Sequence, residues 1–287
     1  MGINAHWRIR DQHRIEANRW LSARVVIEPS SWIDNLKSIC RPYGRIFPIS
    51  LRGMDFLKPF VLPVDTRTAE RHGTIDLYPP DDTARPRPAV LFVHGGPVPA
   101  EVRPTPREWP VFQAYPSLVA ARGVLGATVD HRLHAPDAYP VAADDVRAAV
   151  EAVRADPRVD GERIALWFFS GGGLLSADWL REPPPWLRCV ALTYPLLVPL
   201  PGWPVADRFR PVDAVALTGD LPIVLTRVGR ENPAVAEGVS AFLGAAKTRP
   251  DVVEVPHGRH GFDYLDDDDA SRAAILRAVD LVLATMI

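Results

Sequence analysis

The chain has 287 residues, of which 47% are hydrophobic, and its 33 basic and 35 acidic side chains leave a net charge of −2. Such a length and apolar content can build the core of one large domain, and the near-neutral balance provides no global attraction to nucleic acid or to a membrane surface. Two cysteines, Cys40 and Cys189, cannot form a disulfide framework and stand at no metal-ligand spacing.

Residues 1–60 carry ten basic and five acidic residues together with Trp7, Trp20 and Trp32. Their start lacks the apolar stretch of a secretory signal, and no run in the chain approaches the 18 apolar residues of a membrane span, so a cytoplasmic protein is expected. An N-terminal extension is assigned to residues 1–69, as a helical arm, a lid over an active site or a homodimer contact. Its tryptophans are read as packing residues, not as a nucleic-acid arm. From about residue 70 the pattern changes. Short apolar runs at 73–78, 89–94, 126–130, 164–169, 189–194, 223–228 and 252–255 predict strands, most of them buried on both faces. Helical periodicity at 115–122, 141–154, 172–180, 234–247 and 271–285 falls between and after them. The alternation predicts an α/β catalytic domain over residues 70–287, with a mostly parallel central sheet covered by helices on both faces. Only 28 residues separate Tyr194 from Ile223, which leaves room for a small cap or none. The acidic run Asp266–Asp269 is read as the solvated start of the last helix.

Three segments carry chemistry. In Ile164-Ala-Leu-Trp-Phe-Phe-Ser170-Gly-Gly-Gly173 an apolar strand runs directly into a serine and then into glycines that open a helix. A sharp strand-to-helix turn of this kind strains the serine backbone and lifts its hydroxyl clear of the sheet, with the helix N-terminus beneath it. Upstream, the strand ending in Val93 is followed by His94-Gly95-Gly96-Pro97, whose glycine N–H groups can approach a substrate oxygen unobstructed. Pro97 has no N–H to give. After the last strand comes His257-Gly-Arg-His260-Gly-Phe-Asp263, with two histidines able to serve as general base.

These segments, in this order, resemble the α/β-hydrolase superfamily and within it the dienelactone-hydrolase-like and carboxylesterase-like serine hydrolases. The resemblance implies the α/β-hydrolase fold over residues 70–287. It also implies Ser170 as nucleophile, the N–H groups of Gly96 (with Gly95) and Gly171 as oxyanion donors, and His260 as base, because Gly261-Phe262 follows it as in that family. The acid would then follow the strand ending near Val228, where Glu231 stands in place of the family's usual aspartate; Asp213, Asp220 and Asp263 are less suitably placed. Phe168 occupies the first glycine position of the Gly-x-Ser-x-Gly elbow, so a local rearrangement of the turn is expected. The activity implied is cleavage of an ester, lactone or related acyl bond in a small molecule through an acyl-enzyme, with no metal or organic cofactor. The alternatives are a repurposed enzyme of the same fold (acyltransferase, cyclase or C–C lyase) and a non-catalytic small-molecule binding protein.

The composition holds one more clue. Lysine occurs only at positions 37, 58 and 247, so 30 of the 33 basic residues are arginine, the bias of a GC-rich bacterial coding sequence. The same bias raises proline to 30 residues, yet six fall within 97–116 and eight within 183–211. Both stretches follow strand ends, where this architecture binds its ligands. They predict a stiff substrate rim walled by Trp109 and Trp203, with Phe169 and His131 lining the pocket.

Overall fold

Strands and helices alternate because the apolar runs are short and the segments between most of them carry helical periodicity. The structure is a computed structural model and describes residues 55–286. Cys40, Trp7, Trp20, Trp32 and the arm, lid or dimer contact considered for them lie outside the described residues. In chain order the elements are β1 (Glu70–His72), β2 (Ile75–Tyr78), β3 (Arg87–Val93), α1 (Pro110–Ala120), β4 (Leu125–Val129), α2 (Tyr139–Arg154), β5 (Val159–Phe169), α3 (Ala177–Arg181) and β6 (Leu187–Thr193). There follow α4 (Pro211–Ala214), β7 (Ile223–Arg230), α5 (Pro233–Ala245), β8 (Asp251–Arg259), α6 (Phe262–Leu265) and α7 (Asp269–Ala284).

The strands form one eight-stranded sheet in the order β1-β2-β4-β3-β5-β6-β7-β8. Pairing is antiparallel from β1 through β2 to β4 and parallel across the rest. All seven expected strands are present. A short exposed edge strand, β1, is added, which no apolar run could have announced.

Alternation along β5 divides the core. Ile164, Leu166 and Phe168 face one hydrophobic layer, shared with α2 and α5 through residues such as Val146, Val150, Val235 and Phe242. Ala165, Trp167 and Phe169 face the other, shared with α1 and α7 through Phe112, Tyr115, Ile275 and Val279. Helix starts follow local chemistry. Asn232 accepts the Ala234 N–H with Pro233 at the first helical position of α5, and Asp268 accepts the Ser271 N–H at the start of α7. The Asp266–Asp269 run thus does open the last helix.

Two predicted helices differ from expectation. α1 begins earlier than its periodicity indicates, because Pro110 fits the first helical position, where its missing N–H costs nothing. The stretch expected as a helix over 172–180 is instead a 3-10 helix, Ser170–Ser176, followed by the short α3. Glycine contributes little to helix stability, and the three glycines here are squeezed between neighbouring backbone carbonyls, with a tighter helical turn as the result. The packing also shows no break at residue 70. Val61 N–H donates to the Asp263 carbonyl at 2.9 Å, Phe60 meets the Tyr115 ring at 4.8 Å, and Arg67 N–H donates to Ser117 Oγ at 3.0 Å.

Candidate active site

The parallel arrangement places the carboxyl ends of β3, β5, β6, β7 and β8 on one side of the sheet, and the three singled-out segments leave from three of those ends. Ser170 directly follows β5 with φ 50°, a left-handed conformation that non-glycine residues adopt only when the surroundings hold them there. Its carbonyl accepts the Leu196 N–H at 2.8 Å. Close packing explains the glycines that follow: a Cβ on Gly171 would run into the Gly96 carbonyl oxygen, and one on Gly172 into that of His94. The rearrangement expected from Phe168 does not occur. The strand ladder runs unbroken through Phe168 to both neighbours, because its side chain points into the α2-side core, away from the turn.

Ser170 Oγ lies 2.7 Å from His260 Nε2. His260 follows β8 immediately and is succeeded by Gly261 at φ 80°, the left-handed residue that turns the chain into α6. On its far edge, His260 Nδ1 lies 2.7 Å from Glu231 Oε2. Glu231 directly follows β7, and its other oxygen accepts the Asn232 N–H at 2.7 Å. Both side chains are shielded, at 4% exposure for Glu231 and 12% for His260. His257, the competing histidine, sits exposed within β8. Of the other acids considered, Asp220 is exposed and Asp213 is turned to Arg210 at 2.6 Å. The structure thus brings Ser170, His260 and Glu231 into one hydrogen-bonded line.

The Gly95–Gly96 loop runs beside this line; a Cβ on Gly95 would come within 2.8 Å of Ser170 Cβ. Two buried histidines support it. The rings of His94 and His131 stack at 3.7 Å, and His131 Nε2 lies 3.0 Å from the His94 carbonyl. Burial pulls His94 down to about 4 and His131 well below the usual imidazole range, so both are neutral at pH 7. His131 therefore braces the loop from behind and is not a pocket residue, a correction to the sequence reading. The Gly171 carbonyl is in turn fixed by the buried Tyr139 hydroxyl at 2.9 Å.

A cavity of about 100 Å³ opens onto Ser170 and His260, with Phe56, Trp109, Phe112, Phe169, Tyr194 and Tyr264 among its walls. Trp109 and Phe169 are placed as expected, and the Trp109 indole N–H is tied to the Pro104 carbonyl at 3.0 Å. Trp203 is not at the cavity; it packs half-buried against the core on the α2 and α5 side. Of the two proline-rich stretches only the first forms the rim, through residues such as Pro97, Pro99 and Val102. The second contributes Tyr194 alone. Phe56 supplies the wall assigned to Trp203 and packs on Trp109 at 4.4 Å.

Sequence reasoning also passed over Tyr194 and dismissed Asp263. Tyr194 directly follows β6 at φ 37° and lays its ring 4.8 Å from that of His260. Its hydroxyl donates to Asp263 at 2.9 Å, and the Tyr115 hydroxyl donates to the same carboxyl at 3.2 Å. Asp263 is wholly buried, and desolvation pushes it up to about 7. The available signal was position: a tyrosine at the carboxyl end of a central strand and an acid three residues beyond the candidate base. Among the described residues no group of three or more His, Cys, Asp or Glu side chains could hold a metal ion, and no helix is long and apolar enough to cross a membrane.

Sheet order, the strained serine at the end of β5 and the histidine after β8 give the chain the α/β-hydrolase fold. The BD-FAE family model matches residues 75–178, a span that reaches from β2 into α3 and so includes the Gly95–Gly96 loop and Ser170 but neither Glu231 nor His260. The fold is similar to that of EstE1, a thermophilic and thermostable carboxylesterase cloned from a metagenomic library. That likeness has a TM-score of 0.64 at 19% identity, over 79% of this chain and 92% of that one. It is also similar to esterase 2 of Thermogutta terrifontis phosphorylated by paraoxon, with a TM-score of 0.58 at 20% identity over 78% of this chain and 90% of that one. The propionate-bound form of the same esterase gives a TM-score of 0.57 at 19% identity, over 79% and 94%. No curated protein sequence matches the chain.

Proposed function

We propose that the protein is a serine hydrolase that cleaves the ester or related acyl bond of a small molecule through a Ser170–His260–Glu231 triad. The observation that carries this reading is the pair of 2.7 Å contacts that link Ser170 Oγ to His260 Nε2 and His260 Nδ1 to Glu231. A neutral imidazole with its proton on Nδ1, facing the carboxylate, presents a bare Nε2 to the serine hydroxyl. Ser170 attacks the acyl carbonyl as His260 takes its proton. The negative charge that develops on the carbonyl oxygen is met by the N–H groups of Gly96 and Gly171, whose backbones are packed together beside the nucleophile. His260 then protonates the departing alkoxide. In the second half it deprotonates a water, which releases the acid from Ser170. A carboxylesterase is favoured by the structural neighbours, one of which is phosphorylated by paraoxon.

The test is to treat the protein with paraoxon, measure its intact mass and map the adduct, alongside turnover of short p-nitrophenyl esters. One phosphoryl adduct on Ser170, absent from Ser170→Ala, together with ester turnover, is the expected result. Labelling elsewhere, or an unlabelled and inactive protein, would rule the reading out.

A further inference from the structure

A second buried cluster lies against the imidazole from another direction. Asp263 is 0% exposed and accepts the hydroxyls of Tyr115, from α1, and Tyr194, directly after β6. Among the described residues no arginine or lysine is bonded to it, unlike many of the surface carboxylates in this arginine-rich chain. The titratable groups whose charge or hydrogen bonds bear on it are those two tyrosines, Tyr264 on its own helix and His260 after β8; Asp55 acts in turn on Tyr264. His260 is the member of this set that becomes a cation during turnover.

We propose that Asp263 is a positioning residue of the active site: it anchors the Tyr194 hydroxyl so that the Tyr194 ring braces the imidazole of His260, and its carboxyl charge favours the protonated imidazole. Three observations converge. Tyr194 holds a left-handed φ of 37°, a strain that persists only where neighbours over-determine the residue, and the Asp263 bond is one such hold. Its ring, 4.8 Å from the imidazole, offers an aromatic surface to the imidazolium formed when Ser170 is deprotonated. Asp263 and His260 are joined by the single turn at Gly261, so a displaced carboxyl moves the base as well. Burial holds the Asp263 carboxyl up to about 7, so its charge appears in the range where an imidazole base titrates.

This inference rests on the serine-hydrolase reading, but its test does not need turnover. In full-length protein with labelled histidine, the His260 midpoint is followed by NMR in wild type, Asp263→Asn and Tyr194→Phe. The Asp263→Asn change removes the charge, whereas Tyr194→Phe keeps the ring and removes the donor that favours the ionised carboxyl. Both should lower the His260 midpoint, Asp263→Asn more than Tyr194→Phe. The acidic limb of kcat/KM should move to lower pH with it, and kcat should fall about tenfold for Tyr194→Phe at little changed KM. A His260 midpoint unchanged in the variants that fold overturns the proposal, whatever their stability; a purely structural carboxyl would give that result. If Asp263→Asn does not fold, Tyr194→Phe alone decides. Absence of paraoxon labelling at Ser170 would instead remove the hydrolase reading, with the His260 titration still measurable.

Discussion

Replacing Glu231 by glutamine should cost this protein far more than a lost charge. The two carboxylate oxygens have different duties: Oε1 accepts the Asn232 N–H and Oε2 faces His260 Nδ1, each at 2.7 Å. A glutamine in the same place keeps its one carbonyl oxygen on Asn232, since an amide NH2 there would oppose a donor. Its NH2 group then points at Nδ1, which must become the acceptor, and the ring proton moves to Nε2, the atom that should receive the proton from Ser170. The wrong tautomer therefore follows from the geometry. Losing that preference together with a shielded charge-assisted bond is worth about 4–5 kcal/mol of transition-state stabilisation, or about 10³–10⁴ in kcat. The assay is steady-state hydrolysis of a p-nitrophenyl ester, with circular dichroism to confirm the fold. Activity within tenfold of wild type in a folded Glu231→Gln protein would refute the reasoning.

Gly172→Ala should destabilise, because the new Cβ meets the His94 carbonyl oxygen, a backbone atom that cannot step aside. A loss of about 3 kcal/mol is expected, read as a Tm lower by about 6–12 °C. Trp109→Ala removes a cavity wall without touching the reacting groups, so KM should rise about tenfold while kcat stays within about threefold. Asp263 makes stability pH-dependent in a definite sense. Between its ordinary value of 3.8 and the folded value of about 7, the native state keeps a proton that the unfolded chain has released. Stability from this group therefore falls as pH rises through that window, by at most about 4 kcal/mol. Denaturant melts of Asp263→Asn against wild type at pH 5 and pH 7.5 should show a shallower loss in the variant; equal slopes would contradict it.

Legibility of this site in the sequence varied with the kind of signal. Buried parallel strands appear as short apolar runs, and a serine or histidine at the end of such a run is placed by the sheet itself. The positions of Ser170, Glu231 and His260, each directly after a strand, are therefore legible in the sequence. Side chains that act from loops or cross the core are not. Trp203 and Trp109 look alike in a proline-rich context, yet one packs against the α2-side core and the other on the cavity, a choice made by the direction of the chain after its strand. His131 follows a strand end as a pocket residue would, but its ring is taken up by His94. Asp263 would need an unusual loop to act as the acid of His260, and nothing local announces that Tyr115, 148 positions away, supplies a hydroxyl to it. Phe168 was misjudged for a related reason: a bulky residue next to a tight turn is harmless when strand alternation sends it to the opposite layer.

The contact of Phe56 with Trp109 has a wider consequence. Phe56 reaches the cavity from a segment that precedes the first strand and lies outside the 75–178 span matched by the family model. The reacting groups hang from strands whose positions the hydrogen-bond ladder dictates, whereas this wall is attached by ring contacts and a few backbone bonds. Substitutions there can reshape the cavity while leaving the line of Ser170, His260 and Glu231 intact. If the protein is the hydrolase proposed above, selectivity and chemical competence are separable in it, and residues 55–60 are where substrate range would change without disturbing the sheet.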